Sequence, residues 1–251
     1  MTALITGGSS GIGLEYARQL AAAGHALLLV SNRADDLAAA EASLGGSVRT
    51  LCLDLSAPGA AAEVLAWCDA LGAQVDILVN NAGIFFMEYL GPENLSKAQT
   101  MLGLHVRAVT DLCVLLGARM KERGRGWILN MSSMTARIPA PGIAVYSASK
   151  AYLKSFGRGF SYEMRPYGVH VTTVCPAAVD TGLYPLPERL RGVLKALGII
   201  RSPQWLVRRA LRALFRGRRV VSPGLMNTLV PLAVGLLPAR LIDRLGIRWI
   251  L

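Results

Sequence analysis

Histidine and cysteine are scarce, with three of the first and four of the second among 251 residues. The cysteines, Cys52, Cys68, Cys113 and Cys175, stand far apart with no CxxC pair and no clustered histidines. That spacing excludes a zinc finger and a disulfide framework, predicts no metal site, and makes a reducing compartment the expected setting. Charged residues are also few, 17% against 53% hydrophobic, which excludes a wholly disordered chain or a coiled coil. The start, MTALITGG, lacks the charged head, long apolar run and small-residue cleavage pattern of a secretory signal, so a cytoplasmic protein is expected. A sustained membrane span is missing too: the apolar stretch Gly224–Ala239 counts 16 residues and is broken by Pro231, Gly235 and Pro238, too short and interrupted to cross a bilayer comfortably.

Acidic residues are missing from one part of the chain only. Residues 1–181 hold 14 Lys or Arg and 14 Asp or Glu, whereas residues 182–251 hold 13 basic and 2 acidic ones, so the whole net charge of +11 sits in the last 70 residues. Within them, SPQWLVRRALRALFRGRRVV places Arg208, Arg209, Arg212 and Arg216 on one helical face, with Leu206, Ala210, Leu211 and Leu214 on the other. This reads as an outer helix with a basic solvent face, or as a surface attracting anionic lipid or an acidic thioester. A nucleic-acid partner is not expected, because no helix-turn-helix, zinc-finger or RNA-binding signature accompanies the charge. The apolar tail from 225 onward predicts burial against the core or a second subunit, with a peripheral membrane contact as the alternative.

What is plentiful is a repeated alternation of strand and helix. TALIT, ALLLVS, VRTLCLDL, VDILVNNAG, GWILNMSSM and VHVTTVCP are short runs of Val, Ile and Leu without period-2 alternation, as strands buried on both faces require. Helical patterns separate them, at EYARQLAAAG, DDLAAAEASLG, residues 60–71, residues 96–121 and YSASKAYLKSFGRGFSYEM. The repeated βαβ order predicts an α/β fold, a Rossmann-like doubly wound parallel sheet with helices on both faces.

The first strand opens into TGGSSGIG, with Gly7, Gly8, Gly11 and Gly13, and then a helix. Glycines at such a turn let backbone amides approach a pyrophosphate that the helix N-terminus also attracts; Ser9, Ser10 and Ile12 belong to the same turn. The second strand ends in Ser31-Asn32-Arg33, without the carboxylate that would bind the adenosine ribose of NAD. Arg33 suits a 2′-phosphate and Asn32 does not repel it, so NADP is expected over NAD; a merely solvated Arg33 is the alternative. Asp54, with Leu55 beside it, offers an acceptor for the adenine amino group or a cap for the turn before Ser56. Asn80-Asn81-Ala82-Gly83 close the fourth strand, where the chain passes the ribose or an Asn simply stabilises a turn.

Tyr146 and Lys150 stand four apart, hence on one helical face. A phenol of pKa near 10 needs a neighbouring cation to act at neutral pH, and Lys150 supplies it. Ser133, just past the strand ILNMSS, is placed to hydrogen-bond a substrate carbonyl.

Together these motifs resemble those of the short-chain dehydrogenase/reductase family, over Thr2 to about Thr181. TGGSSGIG is similar to its cofactor turn, Asn80-Asn81-Ala82-Gly83 to its structural motif, Ser133, Tyr146 and Lys150 to its catalytic set, and Cys175–Thr181 to the segment after its sixth strand, with Ala177 where glycine is common. The resemblance implies a seven-stranded sheet, one domain over 1–251, and cofactor contacts from Pro176, Val179 and Thr181. It further implies NADPH-linked reduction of a carbonyl, or oxidation of an alcohol, with Tyr146 as proton donor. One departure stands out: His105 occupies the place of the asparagine that usually holds a water relay. It is either a proton relay itself or a satisfied interior histidine.

Leu183, Tyr184, Leu186, Leu190, Val193 and Leu197 make residues 182–201 the expected substrate lid, with a flat, core-packed segment as the alternative, followed by the basic helix and apolar extension of 202–251. The lid's apolar character implies a hydrophobic ketone, alcohol or acyl substrate, as in the hydroxysteroid and 3-ketoacyl reductases that the chain resembles. The same resemblance implies a homodimer or homotetramer. The competing reading is a non-catalytic NADP-binding sensor or scaffold whose basic tail engages a membrane or a protein.

Overall fold

In the computed structural model, residues 1–138, 140–181, 192, 200–238 and 240–241 are described. Seven parallel strands form one sheet: β1 (Thr2–Thr6), β2 (Ala26–Ser31), β3 (Val48–Cys52), β4 (Val75–Asn80), β5 (Gly126–Met131), β6 (Val169–Val174) and β7 (Val220–Val221). Their order is β3-β2-β1-β4-β5-β6-β7, so the chain winds outward from β1 in one direction and restarts at β4 in the other. The crevice opened by that reversal, between the carboxyl ends of β1 and β4, is where an open α/β sheet holds its ligand.

The expected fold is therefore the observed one, and the strands are apolar on both faces for a physical reason. Successive side chains point to opposite sides of a sheet. Ala3, Ile5, Leu27, Leu29, Ile77, Val79 and Leu129 enter one core with α1 (Gly11–Ala22), α2 (Ala34–Leu44) and α7 (Pro203–Phe215). Leu4, Leu28, Val30, Leu78 and Ile128 enter the other. That second core packs on α3 (Ala60–Ala70), α5 (Ala108–Glu122) and α6 (Ala144–Met164).

The helix expected over 96–121 is interrupted. It comprises α4 (Leu95–Leu102), a π-turn over Gly103–Arg107, and α5. By length and composition Pro92–Glu122 could cross a membrane, but half of its apolar window is buried within the fold. The third strand stops at Cys52, short of the Asp54 expected. α7 starts with Ser202, whose hydroxyl accepts from the Trp205 N–H at 3.2 Å, and Pro203 follows in the first turn, both ordinary helix-start devices. It buries Leu206, Val207, Ala210, Leu211, Ala213 and Leu214 and leaves Arg208, Arg209, Arg212 and Arg216 exposed, as the sequence pattern predicts. A last described helix, α8, runs Met226–Gly235. The lid expected over 182–201 lies outside the described residues except Gly192, Ile200 and Arg201.

Candidate active site

A cleft of about 550 Å³ lies over the carboxyl ends of β1, β2, β4 and β5. Its floor is tied to the sheet by two side chains. The Thr6 hydroxyl accepts from the N–H groups of Asn81 and Ala82, both at 3.0 Å, and the Asn81 amide donates to the carbonyls of Thr6 at 3.1 Å and Gly7 at 3.3 Å. The turns after β1 and β4 are thus locked together. Gly7, at φ +62°, donates its N–H to the Val30 carbonyl at 2.7 Å, and a side chain there would strike Ala82.

Gly7, Ser9, Ser10, Gly11 and Ile12 line the cleft, as expected. Gly13 is a correction: it does not line the cleft, and a Cβ on it would stand 1.9 Å from the Gly7 carbonyl oxygen. Its role is to let α1 close down on the loop. Ser10 precedes α1, and its side chain caps none of the helix's amides. A narrow glycine floor at the N-terminus of α1 fits a dinucleotide pyrophosphate.

At the far end, Asn32, Arg33, Asp54 and Leu55 also line the cleft. The Arg33 guanidinium reaches across to the Ser10 hydroxyl at 3.1 Å and pairs with Asp36 at 2.6 Å, so it is held over the loop. No carboxylate stands at the end of β2. Asp54 accepts the Ser56 N–H at 2.8 Å, which satisfies the turn role foreseen for it while its side chain remains at the cleft. Asn80 is not at the surface: buried, it donates to Asn130 at 2.8 Å and to the Cys113 sulfur at 3.3 Å.

The other end gathers Ser133, Tyr146 and Lys150, all buried and all lining the cleft. Ser133 follows β5 and accepts the Thr135 N–H at 3.2 Å, which fixes the start of the turn Met134–Arg137. The helix α6 is clipped to β5 by Ser132, whose hydroxyl donates to the Lys150 carbonyl at 2.6 Å, and by the Lys150 ammonium, which donates to the Met131 carbonyl at 3.1 Å. That ammonium lies 5.6 Å from the centre of the Tyr146 ring, and Phe85 meets the ring edge-on at 4.9 Å. Burial lowers the Lys150 pKa to about 8, so its charge persists at neutral pH and is lost above that value.

His105 sits within the π-turn, fully buried. Its Nε2 accepts the Ile84 N–H at 3.1 Å, which leaves the proton on Nδ1, 2.9 Å from the Ser149 hydroxyl; that hydroxyl donates to the Tyr146 carbonyl at 2.8 Å. Burial, with the nearby Lys150 charge, holds the imidazole pKa well below the usual 6.5. Of the two readings of His105, the geometry matches the satisfied interior one: both ring nitrogens are engaged by structural partners.

Ala82, Gly83, Pro176, Val179 and Thr181 complete the expected lining. Residues not foreseen include Ser31, Ile84, Leu104 and Ser132 in the lining, and Ser149 as the partner of His105. Ser132 and Ser149 were within reach of sequence reasoning, since each is a serine flanking a motif already singled out.

A family model described as short chain dehydrogenase matches residues 1–186. The very-long-chain 3-oxoacyl-CoA reductase-A of Danio rerio is 31% identical over 206 residues, which cover 74% of this chain and 63% of that protein. The chain thus matches less than two thirds of that relative's length. Among solved structures, a short-chain dehydrogenase from Sphingobium yanoikuyae in complex with NADPH is 31% identical, with a TM-score of 0.77 over 99% of this chain and 93% of that one. A 3-ketoacyl-(acyl-carrier-protein) reductase from Brucella melitensis complexed with NADH is 26% identical, with a TM-score of 0.77 over 88% and 96% of the two chains.

Proposed function

Since the chain belongs to the short-chain dehydrogenase family, an oxidoreductase family acting on carbonyl and alcohol groups with NAD(P)H, we propose that it is an NADP(H)-dependent reductase of a hydrophobic carbonyl compound. The observation that carries this reading is the convergence of Ser133, Tyr146 and Lys150 at one end of a cleft whose other end is overhung by Arg33.

The glycine loop and the α1 N-terminus would hold the pyrophosphate, Arg33 and Asn32 the 2′-phosphate, and Lys150, Pro176, Val179 and Thr181 the nicotinamide half. When bound, that cofactor supplies the hydride that the carbonyl carbon accepts. Ser133 orients and polarises the carbonyl oxygen through a hydrogen bond that strengthens as negative charge develops there. Tyr146 delivers its proton to the same oxygen, completing the alcohol, and the Lys150 ammonium stabilises the phenolate left behind. His105 holds Ile84 and, through Ser149, the first turn of α6 in place, a positioning role.

Phe85 against Tyr146, with Ile84 and Leu104 nearby, favours an apolar group beside the reacting carbon. The name of the Brucella relative supports a 3-oxoacyl compound and that of the zebrafish one a very long chain on it, with a steroid-like ketone as the other member of the class. The exposed Val114, Tyr152 and Tyr162 on α5 and α6 support a homo-oligomer. The gathered Ser133, Tyr146 and Lys150 weigh against a purely scaffolding role.

A panel of aliphatic, 3-oxoacyl and steroid ketones, followed by NADPH absorbance, tests the reading. Turnover of at least one apolar ketone is expected, and Tyr146→Phe should lower kcat by roughly 100-fold or more while leaving NADPH binding nearly intact. Equal loss of turnover and binding would contradict the proton-donor role.

A further inference from the structure

α8 is amphipathic the wrong way round for a helix that finishes a core. Leu225, just before it, and Leu229, Leu232 and Leu236 recur at intervals of four, three and four, which places them within about 60° of arc on one face. That face points outward: Leu225 is 68% exposed, Leu232 62% and Leu236 77%. The inward side carries Asn227, buried and bonded to the Pro223 carbonyl, with Val230 and Val234 half-buried. A contiguous leucine face left in water is costly and marks a surface that meets something apolar.

The chemistry around its base says what. Gly224, which leads into α8, lies against the Trp205 ring, and that ring is flanked by the guanidinium groups of Arg201 at 5.1 Å and Arg209 at 4.5 Å. Arg137 adds a cation at Ser222, two residues before Gly224, donating to its hydroxyl at 3.3 Å. Along α7 the exposed Arg208, Arg209, Arg212 and Arg216 fall on the same side as Trp205. No Asp or Glu occurs anywhere from residue 189 to residue 242. An apolar stripe beside a tryptophan and an excess of arginine is the composition that a bilayer interface with anionic headgroups selects. A second copy of the chain would bring the same positive sign to the contact, with no acid from this region to meet it. α8 also packs against the turn Met134–Arg137 that follows Ser133, so the surface adjoins the chemical end of the cleft.

We infer that the leucine face of α8, with the arginines around Trp205 and along α7, docks the protein peripherally on an anionic lipid surface. The leucines enter the headgroup boundary and the guanidinium groups pair with lipid phosphates. The inference stands apart from the proposed reaction, because lipid docking needs no turnover.

Sedimentation of the full chain with vesicles of phosphatidylcholine alone, or mixed equally with phosphatidylglycerol, tests it. Binding to the anionic vesicles should exceed that to the neutral ones by about tenfold or more and weaken as salt is raised. Leu229→Ser with Leu232→Ser, both exposed, should lower anionic binding about tenfold and leave the circular dichroism unchanged. Arg208→Glu with Arg212→Glu should abolish the preference for anionic lipid without touching the leucine face. Retention of the parent protein in the supernatant with anionic vesicles overturns the proposal, as does equal binding to both vesicle types. So does a concentration-dependent dimer that the leucine substitutions dissociate while vesicle binding persists, since the face would then belong to a second copy.

Discussion

His105 shows how one buried side chain can be fixed in a single protonation state by its neighbours. Accepting from the Ile84 N–H forces the proton onto Nδ1, and burial lowers its pKa well below 6.5. In the unfolded chain the same imidazole titrates near 6.5. As pH falls through that value the unfolded state takes up a proton that the folded state refuses, so the contribution of His105 to stability is full above about 6.5 and shrinks below it. His105→Asn should cost about 1–3 kcal/mol at pH 7.5, because at least one buried partner loses its bond. The melting-temperature gap between parent and variant should narrow from pH 7 to pH 5, and the pH–rate profile above 6.5 should keep its shape. A gap that widens on acidification would mean that the folded protein protonates His105 more readily than the unfolded one does. Sequence reasoning reached His105 but not its tautomer, because its partners Ile84 and Ser149 are 21 and 44 positions away along the chain. Tyr146 and Lys150, four apart on one helix, needed no such long-range knowledge.

Two glycines of α6, two residues apart, separate what an element needs internally from what its neighbours impose. Gly159 is exposed, and a Cβ there would have nothing within 4 Å; at Gly157 the Cβ would stand 2.1 Å from the Thr173 hydroxyl on β6. Gly159→Ala should therefore stabilise the protein by about 0.5–1 kcal/mol through helix propensity. Gly157→Ala should destabilise it by about 1–3 kcal/mol by pushing α6 off the sheet. Urea denaturation of both variants checks the pair, and the same sign for both would show that α6 does not approach β6 as closely as this. The elements themselves were legible to the extent that their signals are local. β1, β2, β4, β5 and β6 appear where their apolar runs predict. The π-turn at Gly103–Arg107 was invisible, since a run with apolar residues on several faces hides the phase shift that one inserted residue makes. So was β7, whose two residues Val220 and Val221 are defined only by pairing with Thr173 and Val174.

Over the whole molecule, the cleft takes its walls from chain segments as distant as Gly7 and Thr181, so a ligand filling it must join both halves of the sheet. The βαβ order made the architecture legible, because parallel strands with helical crossovers leave few ways to wind. The pairing of Arg33 with Ser10 and Asp36 was not legible, because it depends on how closely two loops approach. Cofactor binding to the folded state alone should raise stability by about 2.7 kcal/mol at 100 times Kd. For a chain of this size that is roughly 5–11 °C in melting temperature. If Arg33 receives the 2′-phosphate, NADPH should give the larger rise at equal concentration. Arg33→Ala should then reduce the NADPH rise to the NADH level and leave the NADH rise as it was. Arg33 also holds Ser10 of the glycine loop, and that gives the opposite outcome a definite meaning. Equal losses with both cofactors would make Arg33 a brace for the loop rather than a phosphate ligand. The preference for NADPH would then have to come from the absence of a carboxylate at Asn32 alone.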